Sequence, residues 1–207
     1  MRHRILFFFL AFIGISQFVT SSDVRNKYNF NSDWLLYVGD VPEAKQPRFS
    51  DSEWKKVTLP HAFNEDEAFR LSIDELTDTI MWYRKHFRLP ANSKNKKVFV
   101  EFEGVRQGAD FYINGQNVGL HENGVMAVGF DLTPYIKDNT FRLTILVSNV
   151  DYPTKGGHLT SPDTQTNWNG IIGEISLHIC DEIMIEHIKT YPDTEHKSVR
   201  VEISTNN

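Results

Sequence analysis

The sequence predicts an all-β protein, a jelly-roll β-sandwich, on three observations. From Tyr28 onward, short β-rich runs recur about every ten residues between clusters of Gly, Pro, Asn and Asp. No long stretch carries the apolar period of an amphipathic helix. The runs also lack the intervening helical segments that a parallel sheet requires, so the strands pair antiparallel and pack as a sandwich.

The clearest strands are Trp82–Leu89, Lys97–Val105, Gly108–Ile113, Phe141–Val150 and Glu174–Cys180. In the second, Val98, Val100 and Phe102 alternate with Phe99, Glu101 and Glu103; in the fourth, Phe141, Leu143, Ile145 and Val147 take one face. Period two is the signature of a strand with one buried side. Asn114-Gly115 lies between Phe111-Tyr112-Ile113 and Val118-Gly119, and a tight type I′ hairpin turn needs positive φ at both central positions. A helical piece is expected at Ile73–Leu76, where Ser72-Ile73-Asp74-Glu75 reads as a capping box.

The ends differ from the middle. Arg2 and Arg4 precede an apolar stretch from Ile5 to Ile15, followed by Thr20, Ser21 and Ser22. That is the build of a secretory signal peptide over residues 1–22, too short to span hydrocarbon, which takes about 20 apolar residues. The expected location is therefore secreted or periplasmic, with no membrane span after signal removal. Residues 23–182 form the sandwich. From Ile183 the texture changes: Ile183-Met184-Ile185, Ile188 to Tyr191 and the alternating Val199 to Ile203 read as the start of a second β module over 183–207. Two or three strands bury no core of their own.

Composition excludes several functions. The chain has 207 residues, whereas a parallel (β/α)₈ barrel takes about 250, so no catalytic barrel fits here. The formal charge is −5, and without residues 1–22 it is −7, from 20 basic and 27 acidic residues. An acidic protein without a basic run is not built for phosphate backbones, so no nucleic acid is expected. Cys180 is the sole cysteine, which rules out an internal disulfide and reads as a packed apolar residue. The eight histidines show no paired ligand spacing, so neither a metal nor a cofactor is expected. Gly156-Gly157-His158 lacks the Lys and helix of a phosphate loop.

Several segments in order resemble the N-terminal sugar-binding domain of glycoside hydrolase family 2. They are Trp54-Lys55-Lys56-Val57-Thr58-Leu59-Pro60-His61, Trp82-Tyr83-Arg84-Lys85-His86-Phe87, Phe102-Glu103-Gly104-Val105, Ala109 to Gly115 with Val118-Gly119-Leu120-His121, Phe130-Asp131-Leu132-Thr133, and Asn167-Trp168-Asn169-Gly170-Ile171-Ile172-Gly173-Glu174. The resemblance implies a galactose-binding-like jelly roll that precedes an immunoglobulin-like sandwich, whose incomplete start is residues 183–207, and then a TIM barrel. The barrel would hold the two glutamates of retaining hydrolysis, so no catalytic residue is expected in this chain. Asn64-Glu65 spells the family's acid/base pair, but it follows Leu59-Pro60-His61 in the sandwich, far ahead of any barrel strand.

Two segments are candidates for glycan binding. The loop from His61 to Asp78 mixes polar groups with aromatic platforms, and Asn64 and Asp66 are its candidates to face a sugar pocket; a solvated acidic loop is the alternative. In the second, Ser161 to Gly170, the resemblance makes Asp163 the nearest match to an acid that, in family 2 β-galactosidases, reaches a sugar hydroxyl or bound cation. Trp168 either stacks on a sugar face or anchors the sandwich.

The expectation is thus the sugar-binding portion of a family 2 glycoside hydrolase, β-galactosidase-like, inactive alone, whose partners are a β-glycoside or glycan and a separate TIM-barrel catalytic domain. Its short length would follow from a truncated reading frame, an excised piece or a split gene. The alternatives are an autonomous carbohydrate-binding module and a purely structural domain-packing sandwich.

Overall fold

The computed structural model describes residues 25–72, 75–122, 126–136, 139–150, 152 and 167–206. Fifteen strands form: β1 (Arg25–Asn29), β2 (Trp34–Val38), β3 (Lys55–Val57), β4 (His61–Ala62), β5 (Ile80–Arg88), β6 (Lys97–Phe102), β7 (Val105–Arg106), β8 (Gly108–Ile113), β9 (Gln116–His121), β10 (Val128–Asp131), β11 (Thr140–Ser148), β12 (Gly170–Ile171), β13 (Ile175–Cys180), β14 (Ile185–Asp193) and β15 (Ser198–Thr205). Among the described residues one α-helical turn, α1 (Glu65–Ala68), and short 3-10 turns at Pro42–Lys45, Ala91–Ser93 and Thr133–Tyr135 interrupt them.

Every pairing is antiparallel. The two large sheets run β1-β13-β6-β10 and β3-β2-β5-β11-β8-β9. Their facing sides supply the core: Val98, Val100 and Phe102 of β6 and Leu177 of β13 pack with Tyr83, Phe111, Leu143 and Ile145 from the other sheet. Phe102 and Phe111 meet at 5.0 Å between ring centroids. Each such side chain contributes about 1.5–3 kcal/mol when fully buried, which is how the fold holds without a disulfide. Cys180 is buried at the end of β13, as its apolar setting predicts, and burial pushes its thiol pKa up.

The second sheet is covered on its outer side as well. Alternation along β5 sends Tyr83 to the interior and Trp82 and Arg84 outward, where Trp82 joins Ala44 and Trp54 in a smaller core under residues 41–54. Arg84 is fully buried there. Its Nη1 donates to the Phe49 carbonyl at 2.9 Å and to Asp51 at 3.1 Å, Nη2 donates to the Ala44 carbonyl, and Nε donates to Thr144 Oγ1 at 3.3 Å. This second layer explains why Thr144 and Ser148 of β11 are buried along with Phe141, Leu143, Ile145 and Val147.

The Asn114-Gly115 turn forms with φ of 48° and 85° and joins β8 to β9. The strand expected over Lys97–Val105 divides in two. The Gly104 carbonyl accepts the Ile172 and Gly173 N–H groups, both at 3.0 Å, and this turns the chain out of the first sheet into β7. At Ser72 the N–H donates to Glu75 Oε2 at 3.2 Å, half of the expected capping box; Ile73 and Asp74 lie outside the described residues. The 61–78 segment, expected as a loop, holds β4 and α1.

Strands β14 and β15 form a separate two-stranded sheet, exposed along its whole length. Cross-strand partners Ile188 and Ile203, Thr190 and Val201, and Pro192 and Val199 give it one apolar face. The Met184 sulfur, just ahead of β14, lies 3.3 Å from Cys180 Sγ. The expected signal segment, 1–22, lies outside the described residues. Among the described residues no helix is long and apolar enough to cross a membrane.

Candidate functional site

A third small sheet, β4-β12-β7, brings together three distant parts of the chain. His61 pairs with Ile171, Ala62 with Gly170, and Arg106 with Gly170 from the other side. Gly170 permits this. Its φ is +131°, and a Cβ there would sit 2.6 Å from the His61 carbonyl oxygen and 2.7 Å from the Tyr83 hydroxyl, so no side chain fits. Tyr83 reaches the sheet from below, its hydroxyl 3.2 Å from His61 Nδ1 and 3.4 Å from the His61 carbonyl. Burial drives the Tyr83 pKa far up, so the hydroxyl stays neutral.

Asn64 ties the two loops beyond this sheet. It is 1% exposed, its Nδ2 donates to the Asn167 carbonyl at 2.6 Å, and its Oδ1 accepts the Asn169 N–H at 3.0 Å. The Phe63 N–H donates to the Asn169 carbonyl at 2.9 Å. Trp168 is thus held on both sides by backbone fixed to Asn64. Its half-buried ring meets Phe69 edge-on, 5.4 Å between centroids.

Pro60, His61, Ala62, Glu65, Trp168 and Ile172 border a cleft of about 350 Å³. Burial lowers the His61 pKa, the Lys55 charge adds to this, and Glu65 opposes it; the imidazole is neutral at pH 7. The cleft therefore offers a neutral imidazole, one carboxylate and an aromatic wall, a set suited to sugar hydroxyls and C–H faces. Among the described residues that line it, Glu65 is the one acid. Retaining hydrolysis needs two carboxyl groups about 5 Å apart.

Other acids of the 61–78 segment serve the loop itself. Glu67 accepts the Thr77 hydroxyl at 2.7 Å and its N–H at 2.9 Å, bonds that hold its carboxyl below the usual range. Asn149 Nδ2 donates to Asp78 at 2.9 Å. Asp66 is exposed on α1, where its carbonyl accepts Arg70 Nε at 3.0 Å. Of the four candidates, Asn64 and Trp168 come together, Asp66 is exposed and does not line the cleft, and Asp163 lies outside the described residues. His61 and Tyr83 escaped the sequence reading as site residues, although each stands in a quoted segment; only strand alternation at Tyr83 hinted that its ring points inward.

His86 lies 2.6 Å from Asp51, and His178 lies 3.1 Å from Glu101 and 2.9 Å from Ser176. Among the described residues, no three His, Cys, Asp or Glu side chains gather as a group able to hold a metal ion.

A jelly roll with a polar and aromatic cleft at one loop end is the architecture of a glycan-contacting module. The family model described as "Glycosyl hydrolases family 2, sugar binding domain" matches residues 40–180, and the chain belongs to this family as its sugar-binding domain. It is 35% identical over 190 residues to a β-glucuronidase of Formosa agariphila, covering 82% of this chain and 18% of that enzyme. It is also 35% identical over 180 residues to a β-galactosidase of Thermoanaerobacter pseudethanolicus, covering 84% and 24%. Among solved structures, a family 2 β-glucuronidase superposes with a TM-score of 0.74 at 32% identity, over 90% of this chain and 22% of that one. The chain thus spans about a fifth to a quarter of the length of these relatives.

Proposed function

We propose that this chain is the exported front portion of a β-galactosidase-like family 2 glycosidase, non-catalytic by itself, which lends the 61–65 and 167–172 loops to a glycan pocket completed by a TIM-barrel domain. The observation that carries the reading is the His61–Trp168 cleft, which has hydroxyl-binding and stacking groups but one acid. Asn64 acts by positioning Trp168. Residues 183–207 are read as the opening hairpin of an immunoglobulin-like module, supported by the amphipathic, unpacked β14–β15 pair. Residues 1–22 direct export to the periplasm or outside the cell, supported by their charge and apolar pattern. The relatives include both β-glucuronidases and β-galactosidases, so the choice of sugar is assigned to the barrel.

The test is an assay of the purified chain with aryl β-galactoside and aryl β-glucuronide. No turnover is expected; turnover at an ordinary glycosidase rate sinks the proposal. In a full-length family 2 enzyme carrying this domain, Trp168→Ala is expected to raise KM for a glycoside. An unchanged KM would remove the cleft from the pocket.

A further inference from the structure

At the opposite end of β5 from Ile80 lies a second cleft, of about 570 Å³, lined by Pro47, His86, Arg88, Asn114, Thr140 and Arg142 together with Phe87 and Phe141. Antiparallel register places His86 opposite Arg142 and Arg88 opposite Thr140. Alternation puts His86 and Arg88 on one side of β5, so both arginines and the imidazole share the outer face.

Among the described residues that line the cleft, no acid offsets this charge. None of the eight lining residues is acidic, although the chain as a whole carries an excess of acids. Asp51 is the neighbouring carboxylate, and it is already engaged: it takes Arg84 at 3.1 Å and His86 at 2.6 Å. Arg142 Nε lies 3.5 Å from His86 Nδ1, which spends little of the guanidinium's donor capacity. Two like charges at diagonal positions on adjacent strands repel. A bound anion would relieve that repulsion, and a guanidinium is shaped to hold carboxylate or sulfate in two-pronged fashion. Thr140 and Asn114 at the rim add a hydroxyl and an amide, groups that suit a sugar hydroxyl.

We propose that the Arg88–Arg142 cleft binds the anionic group of an acidic saccharide, a uronate carboxylate or a sulfate ester. The anion half of this assignment stands on the cleft alone; the saccharide half rests on the sugar-binding function proposed above.

The experiment titrates the full chain at low salt with trigalacturonate, a sulfated galactose disaccharide and neutral galactotriose, followed by amide NMR shifts. One acidic probe, whichever anion the cleft prefers, is expected to bind with a Kd of roughly 1 mM. Arg88→Gln and Arg142→Gln should each weaken it about tenfold, the loss of one charge-assisted contact. Trp168→Ala should leave it unchanged. Arg88 is exposed, so its variant keeps the fold. Equal binding by the arginine variants, or equal binding of galactotriose, overturns the proposal. Binding of inorganic sulfate as tightly as the better saccharide overturns the saccharide half. Turnover of aryl glycosides would overturn only the function proposed earlier, which keeps the two failures apart.

Discussion

The Arg84 guanidinium carbon lies 4.5 Å from the centre of the Trp54 ring, and the same group donates to Asp51 from a fully buried position. One side chain thus fastens residues 44–54 to the outer face of the central sheet. Arg84→Met removes donors to two carbonyls, a carboxylate and a hydroxyl, and leaves the acceptors at Ala44 and Thr144 buried without them. The expected loss is about 3–5 kcal/mol, the cost of breaking a buried pair from one side, read by urea unfolding. A loss under about 1 kcal/mol would show that water replaces the guanidinium.

Acid should weaken the fold in two stages. Burial lowers the pKa of His61 and of His178, and for His178 it outweighs the nearby Glu101. The unfolded chain therefore binds more protons, and stability from these groups is lost as pH falls below 6.5. At Asp51 burial pushes the pKa up, but hydrogen bonds and charges from His86 and Arg84 overcome it and leave the net value lowered. Its contribution is present above 3.8 and is lost as pH falls further. Unfolding free energies measured across this range should show a smaller upper stage in His178→Gln, where His61 still contributes, and a smaller lower stage in Asp51→Asn. Unchanged profiles in the variants would contradict the assignment.

Gly170→Ala should cost at least about 1–3 kcal/mol, because its backbone conformation excludes a side chain and the added carbon meets the His61 carbonyl. The damage should be local. Amide exchange at His61 and Ile171 should quicken while Leu143 and Ile145 stay protected; uniform loss would mean that the small sheet supports the whole fold.

Asn64→Ala removes both bonds that bracket Trp168, for an expected loss of about 2 kcal/mol. Exchange at the Asn169 amide should rise. Asn64→Asp keeps the acceptor for that amide and loses the donor to Asn167, so Asn169 protection should survive in part. Equal loss in both variants would argue against the bracket.

The full chain is expected to self-associate as its concentration rises and a chain lacking residues 182–207 is not, since β14 and β15 carry Ile188, Val199, Val201 and Ile203 in exposed positions. Sedimentation of the longer chain as a monomer at all concentrations would contradict this expectation.

Much of the fold was legible because strand alternation is a local signal. Gly108–Ile113 matches β8, and the Asn114-Gly115 turn formed where positive φ is required. The outer layer was not legible. Arg84 shares a face with Trp82 and alternates with Tyr83 as an exposed position would, and nothing local says that residues 41–54 return to cover it. The site was half legible. Trp168 and Asn64 stood out as residue types, but their link spans 105 residues between Asn64 and Asn169, and hydrogen bonds of that reach leave no periodicity behind. Tyr83 and His61 belong to the same class of long-range partners.

Strand β13 sits between β1 and β6 and bonds to both. The first strand of the domain therefore waits for the last one. During synthesis, β1 emerges with no neighbour, and β6 keeps one side unpaired until residues 175–180 leave the ribosome. A nascent chain halted before that point would leave β1 unpaired and the apolar margin of β6 open, so a chaperone binding extended apolar segments would find its target in β6 until β13 docks.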